Sequence, residues 1–196
     1  MNNETFLRQI NHQNKHWWFQ ARKKIIFEII KEIELKKNLK ILDFGAGSGV
    51  NIEMLSTFGK VDVFEKNKIA LNFIKKNIKI NKAFSKLKMK KNYYDLILLA
   101  DVIEHIKKTQ CSKFINNIKN SIKPRGVLII GCPSQSSQKY ASKYSKKLHV
   151  NCFDKDRLQN YLNNFFKNVF TFGMNDEVLH TGYDKMCHYV FAICVK

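Results

Sequence analysis

Residues 41–49 read Ile-Leu-Asp-Phe-Gly-Ala-Gly-Ser-Gly, and this stretch decides the fold. Lys40–Phe44 is a short strand-like run, and Gly45, Gly47 and Gly49 follow it at once. Glycine has no Cβ, so a backbone of this kind can turn sharply and approach a ligand closely. Asn51–Phe58 then sets Ile52, Leu55 and Phe58 on one side of a helix, and Gly59 stops it. Val61–Phe64 reads as the second strand, closed by Glu65 twenty residues after Gly45. A carboxylate at that place can accept hydrogen bonds from both hydroxyls of a ribose. The spacing is Gly-x-Gly-x-Gly, and Val50 stands where a dinucleotide loop needs its third glycine. That disfavours a nicotinamide oxidoreductase.

Working outward, the same alternation continues. Trp18, Arg22, Ile25, Ile26, Ile29, Ile30 and Ile33 recur at helical spacing, which predicts a helix over Trp18–Ile33. Asn67 can cap a helix running to about Ile80, and Lys82–Lys91 has room for one short strand. Tyr94–Ala100 is a near-continuous apolar run of the buried parallel kind. A helix over Thr109–Ile122, a turn at Lys123-Pro124-Arg125-Gly126 and a strand over Val127–Ile130 follow. Asp154 caps a helix through Phe166, and Val169–Phe172 and His188–Val195 are two closing strands. The expectation is an α/β fold, doubly wound, with a mostly parallel seven-stranded sheet. Residues 1–39 form an N-terminal helical segment and 40–196 the main body of a single domain. Such sheets bind ligands at the carboxyl ends of their strands. Chemistry is therefore expected at Gly45–Gly49, Glu65, Ala100–Ile106 and Gly131 onward, with Ser134–Asn151 a polar insertion.

Composition narrows the class. The chain has 196 residues, 44% hydrophobic and 26% charged, within ordinary globular usage. The 35 Lys and Arg against 16 Asp and Glu give a net charge of +19. Only Arg8, Arg22, Arg125 and Arg157 are arginines. Phosphate-reading surfaces favour arginine forks, so a solvated lysine surface is the preferred reading and a nucleic-acid partner is not favoured. Five cysteines without a Cys-x-x-Cys indicate neither a disulfide framework nor a zinc ribbon. The longest apolar run, Tyr189–Val195, is too short to span a membrane. The first residues lack a signal-peptide pattern, and a cytoplasmic protein is expected.

Three further stretches, with the glycine loop, resemble the class I S-adenosylmethionine-dependent methyltransferases of the ubiquinone-biosynthesis type. Ile41–Gly49 looks like their first motif and Glu65 like their ribose-binding acid. Tyr94-Asp95-Leu96-Ile97-Leu98-Leu99-Ala100-Asp101-Val102-Ile103-Glu104-His105-Ile106 is similar to their fourth-strand motif, and Ile122–Leu128 to their turn into strand five. His16-Trp17-Trp18-Phe19 with Arg22 resembles their first helix. The resemblance covers roughly residues 16–166. It implies S-adenosyl-L-methionine as cofactor, held by Asp43, Gly45, Ala46, Gly47, Gly49, Glu65 and Asp101. In one respect the chain departs: between Lys66 and Tyr94 it has no Asp or Glu to meet the adenine.

Methyl transfer from a sulfonium is an in-line displacement, and a base is needed only when the acceptor must lose a proton. Asp101, Glu104 and His105 fall on one side if their segment turns helically. His149 lies in the insertion. His105 and His149 are the candidate catalytic bases. A divalent-metal site built from Asp101, Glu104 and the two histidines is the alternative, and no metal ligands are assigned. Trp17–Phe19 could cover the cofactor or pack the helix. Tyr140 and Tyr144 lie among Lys139, Lys143, Lys146 and Lys147. The loop Gly173–Tyr183 reads as either a substrate lid or a surface turn. The expected function is methylation of a small molecule, at oxygen rather than carbon. An RNA 2′-hydroxyl methyltransferase and a non-catalytic nucleoside-binding subunit are the rivals.

Overall fold

The computed structural model describes residues 6, 7, 10, 13, 15–33, 35–86, 89–175, 178–181 and 187–196, with only the backbone at His180. The chain divides into two compact units, residues 1–88 and 89–196.

The first unit holds helix α1 (Trp17–Glu32), strand β1 (Leu39–Phe44), helix α2 (Ile52–Ser56), strand β2 (Gly59–Phe64), helix α3 (Lys68–Asn77) and strand β3 (Lys82–Phe84). His16 caps α1, its side chain accepting from the Trp18 amide at 3.2 Å. The buried face of α1 is Ala21, Arg22, Ile25, Ile26, Ile29 and Ile30, close to the stripe expected from spacing. β1 pairs parallel with β2, and β2 with β3. The register sets Phe44 beside Phe64 and Phe64 beside Phe84, with ring centroids 4.4 and 6.0 Å apart. This aromatic row ends the three strands level, so Gly45 and Glu65 emerge side by side. The Asn67 side chain caps α3 by accepting from the amides of Ile69 and Ala70. α2 is shorter than its apolar pattern suggested. The Ser56 and Thr57 hydroxyls donate to the carbonyls of Ile52 and Met54, competing with further helix.

The second unit holds β4 (Tyr94–Ala100), α4 (Lys108–Ser121), β5 (Ile122–Pro133), α5 (Lys143–Leu148), α6 (Lys155–Asn163), β6 (Asn168–Asn175), β7 (Val178–His180) and β8 (Tyr189–Val195). Its strands lie in the order β4-β5-β8-β6-β7. β4 and β5 are parallel; β8, β6 and β7 add antiparallel. Tyr94 through Leu99 are all buried, as the unbroken apolar run required. The turn expected at Lys123–Gly126 bulges within β5. Tyr94 pairs with Ile122 but Leu96 with Val127, and Arg125 takes φ 62°.

The strand count differs from the seven expected: eight are described. The additional one is β7. Where a loop was expected, β6 runs on to Asn175 and Val178–His180 folds back along it. The remainder of the supposed lid, residues 176, 177, 182 and 183, lies outside the described residues. All five cysteines are buried thiols. Among the described residues no helix is long and apolar enough to cross a membrane.

Candidate active site

The first unit carries the glycine loop. Gly45, Gly47 and Gly49 have φ of 77°, 56° and 83°, the left-handed region that side chains disfavour. They serve different ends. A Cβ on Gly49 would sit 2.6 Å from Ile78 Cδ1 and 3.0 Å from Ile52 Cδ1, so its smallness lets the loop pack on α2 and α3. A Cβ on Gly47 would meet nothing within 4 Å, so its bareness leaves space open. The loop is tied to β2 by the Gly45 amide, which donates to Phe64 O at 2.8 Å. Glu65 holds it from the side. Its Oε2 accepts from the Gly47 amide at 2.8 Å and its Oε1 from the Asn67 amide at 2.7 Å. Each carboxylate oxygen keeps a second lone pair for a hydroxyl. A cavity of about 850 Å³ in this unit is bordered by Ser48, Gly49 and Val50 at the end of the glycine loop. Its wall includes Gly59, Lys60 and Val61 at the start of β2, at the far end of that strand from Glu65.

Asp43 is 2% exposed at the end of β1. Burial pushes its carboxyl from 3.8 up to about 7; Glu65 pushes the same way and the Arg22 guanidinium opposes both. Arg22, 4% exposed on α1, was legible as a stripe position, and its electrostatic reach to Asp43 was not. Between pH 4 and 7 the folded chain keeps a proton on Asp43 that the unfolded chain has lost. Its burial therefore costs more stability as pH rises through this window, up to about 4 kcal/mol above pH 7. An Asp43→Asn variant is isosteric and does not titrate. Its stability relative to the parent, measured from urea midpoints, should rise steadily from pH 4 to pH 7. A difference that stays constant across that range would contradict the burial of a charge.

The second unit carries the histidines. Asp101 follows β4 with φ 57°, and its amide donates to Gly131 O at 3.0 Å. One 3₁₀ turn, Ile103–His105, comes next. Glu104 is wholly buried. Its peptide carbonyl accepts from the amides of both Val150 and Asn151, at 2.8 and 3.1 Å. That pair of bonds brings the far end of the insertion to the turn, so His149 lies 5.2 Å from His105, ring centre to ring centre. His105 Nε2 stands 4.0 Å from Glu104 Oε1. The near end of the insertion is pinned as well. Ser134 donates to His188 O and Ser136 to Asp154 Oδ1. Asp154 thus spends its carboxylate on the insertion rather than on capping its own helix.

Ligand atoms of Glu104, His105 and His149 all lie within 4.8 Å of one another. Burial lowers the His149 pKa, helped by the neighbouring His105 and opposed by Asp101. The ring is therefore neutral at and above neutral pH, as either a base or a metal ligand must be. Two expected partners are thus brought together, His105 with His149, and Glu104 joins them. Gln138, whose Oε1 lies 2.8 Å from His149 Nδ1, was missed. A lone Gln in a polar loop gives no sequence signal.

Residues 10–168 match the model of the methyltransferase domain family. The chain belongs to that family. The chain is 32% identical over 124 residues to a protein named ubiquinone biosynthesis O-methyltransferase from Rickettsia typhi, covering 57% of this chain and 50% of that one. A Rickettsia canadensis protein of the same name is also 32% identical, over 59% of this chain and 52% of its own. The chain spans about half the length of these curated relatives. In three dimensions it resembles a S-adenosylmethionine-dependent methyltransferase from Thermotoga maritima, with TM-score 0.69, 15% identity and 98% of both chains covered. It also resembles the plantazolicin methyltransferase BpumL, solved with S-adenosylhomocysteine, with TM-score 0.74, 12% identity and coverage of 98% and 90%. These likenesses bear out the Rossmann-like methyltransferase fold. The family expected from the sequence stands at the level of the methyltransferase domain.

Proposed function

We propose that the protein moves the methyl group of S-adenosylmethionine to a hydroxyl oxygen of a small molecule. The observation that carries this is the pair of imidazoles at 5.2 Å beside a buried carboxylate, with His149 held neutral. A hydroxyl is a poor nucleophile until its proton is drawn away, and a neutral imidazole is the side chain suited to that at ordinary pH. In the reaction the acceptor oxygen attacks the methyl carbon in line with the sulfur. The carbon–sulfur bond breaks with its electron pair staying on sulfur. The acceptor proton passes to His149 or His105, and S-adenosylhomocysteine leaves. The names of the Rickettsia relatives favour oxygen as the acceptor atom.

The donor would be held by the first unit. Asp43, Gly45, Ala46, Gly47, Gly49 and Glu65 are its proposed contacts, with Asp101 of the second unit. The open space over Gly47 and the spare lone pairs of Glu65 support this assignment.

A second reading has a specific observation behind it. Glu104, His105 and His149 fit a divalent cation by donor type, one carboxylate and two imidazoles, and by the closeness of their ligand atoms. A bound cation would make the acceptor hydroxyl more acidic.

Incubating the protein with radiolabelled donor and fractionated cell extract tests the proposal. Label should enter the small-metabolite fraction as an alkali-stable ether. Label in RNA would replace the small-molecule reading with the 2′-hydroxyl one. Donor binding with no transfer to any fraction would leave a nucleoside-binding subunit. Turnover stopped by a chelator and restored by a divalent cation would select the metal reading.

A further inference from the structure

We infer that Gln138 is a positioning residue that fixes the tautomer of His149, so that its Nε2 is the unprotonated nitrogen. The inference rests on the proposed use of His149 at the site and says how that use is arranged. It follows from a chain of hydrogen bonds anchored on a peptide carbonyl, which can only accept. Ser134 O is a peptide carbonyl and can only accept. The Gln138 side chain meets it at 3.2 Å through Nε2, and the same nitrogen donates to Ser137 Oγ at 3.4 Å. The amide is therefore oriented. Turning it over would place Oε1 against the Ser134 carbonyl, two acceptors facing each other. With Nε2 on Ser134, Oε1 faces His149 Nδ1 at 2.8 Å. An amide oxygen cannot donate, so the proton of a neutral His149 sits on Nδ1 and the lone pair on Nε2.

The anchor of this chain is firm. Ser134 is 1% exposed, bridges to Phe153 and is bonded to His188 and Cys187. His105 is fixed by the same logic from a different partner. Its Nδ1 lies 3.2 Å from Leu148 O, another carbonyl that can only accept. Both rings thus carry Nδ1–H and offer Nε2, one held by a side chain and the other by the main chain. Only the first hold can be removed by substitution.

Nitrogen-15 NMR of histidine-labelled protein at pH 8 reads the tautomers directly. The His149 Nδ1–H form is expected in the parent. Gln138→Leu, similar in size but unable to accept, should convert His149 to a mixture or to the Nε2–H form. Gln138→Glu, which still accepts at that place, should keep Nδ1–H. His105 should remain Nδ1–H in all three, and that signal also reports that the insertion is folded. With a working acceptor, Gln138→Leu should lower kcat by about 10–100-fold at unchanged donor KM, and Gln138→Glu should recover most of it. An Nε2–H tautomer at His149 in the parent would overturn the inference whether or not any variant folds. So would an unchanged Nδ1–H form in a folded Gln138→Leu protein. Failure to methylate any hydroxyl would defeat the proposed function and leave the tautomer result standing.

Discussion

Turnover of a His149→Ala variant is expected to fall by about 10²–10⁴-fold, the range over which a positioned base acts. S-adenosylmethionine affinity should scarcely change, because the proposed donor contacts lie mostly on the first unit. The reason is chemical rather than structural. His149 ends a six-residue helix, and the neighbouring amides of Val150 and Asn151 are what hold the insertion to Glu104 O. Removing the imidazole leaves those bonds in place. His105, 5.2 Å away, is near enough to substitute, so the double variant should lose the remainder. Steady-state kinetics on both variants, with donor affinity by calorimetry, decides the matter. Full turnover by the double variant without chelator sensitivity would make both rings structural and leave proximity as the sole source of rate.

The second large effect belongs to the glycine loop. Gly47→Val is expected to abolish measurable binding of S-adenosylmethionine and of its demethylated product. The side chain would project into the space that stands open above Gly47. Valine also resists the φ of 56° found there, so Gly47→Ala is the companion variant. Its methyl group clashes with nothing within 4 Å, and the left-handed backbone costs about 1–2 kcal/mol. Folded Gly47→Ala protein should still bind the donor at least about tenfold more weakly, since losing one charge-assisted or close backbone contact costs about 1.5–3 kcal/mol. Undiminished binding by folded Gly47→Ala would move the donor away from this loop. Tighter binding of NAD than of S-adenosylmethionine by the parent would overturn the donor itself.

What was legible in the sequence follows the range of the forces involved. Helix α1, strand β4 and the Asn67 cap are written in local periodicity and in single side chains that satisfy neighbouring amides. The glycine spacing and Glu65 are legible because a strand end and the next strand end lie a fixed distance apart in a parallel pair. Strand β7 was not, because three residues folding back on β6 leave no pattern apart from the partner they pair with. The bulge at Arg125 was read as a turn for the same reason: its backbone turns, and only the strands on either side show that pairing resumes. His105 and His149 could be named as candidates, and Asp43 and Glu65 likewise. Their surroundings could not. The Arg22 charge near Asp43, the Gln138 amide and the Leu148 carbonyl are contacts across 11 to 43 residues between groups with no common spacing.

Glu104 fastens the insertion through its peptide carbonyl, while its carboxylate lies beside the two imidazoles. Mount and reagent are thus separate parts of one residue. Evolution could exchange the side chain at this position, or the rings beside it, without dismantling the junction that presents them. A lineage with this arrangement can try new acceptors by changing the tools while keeping the handle.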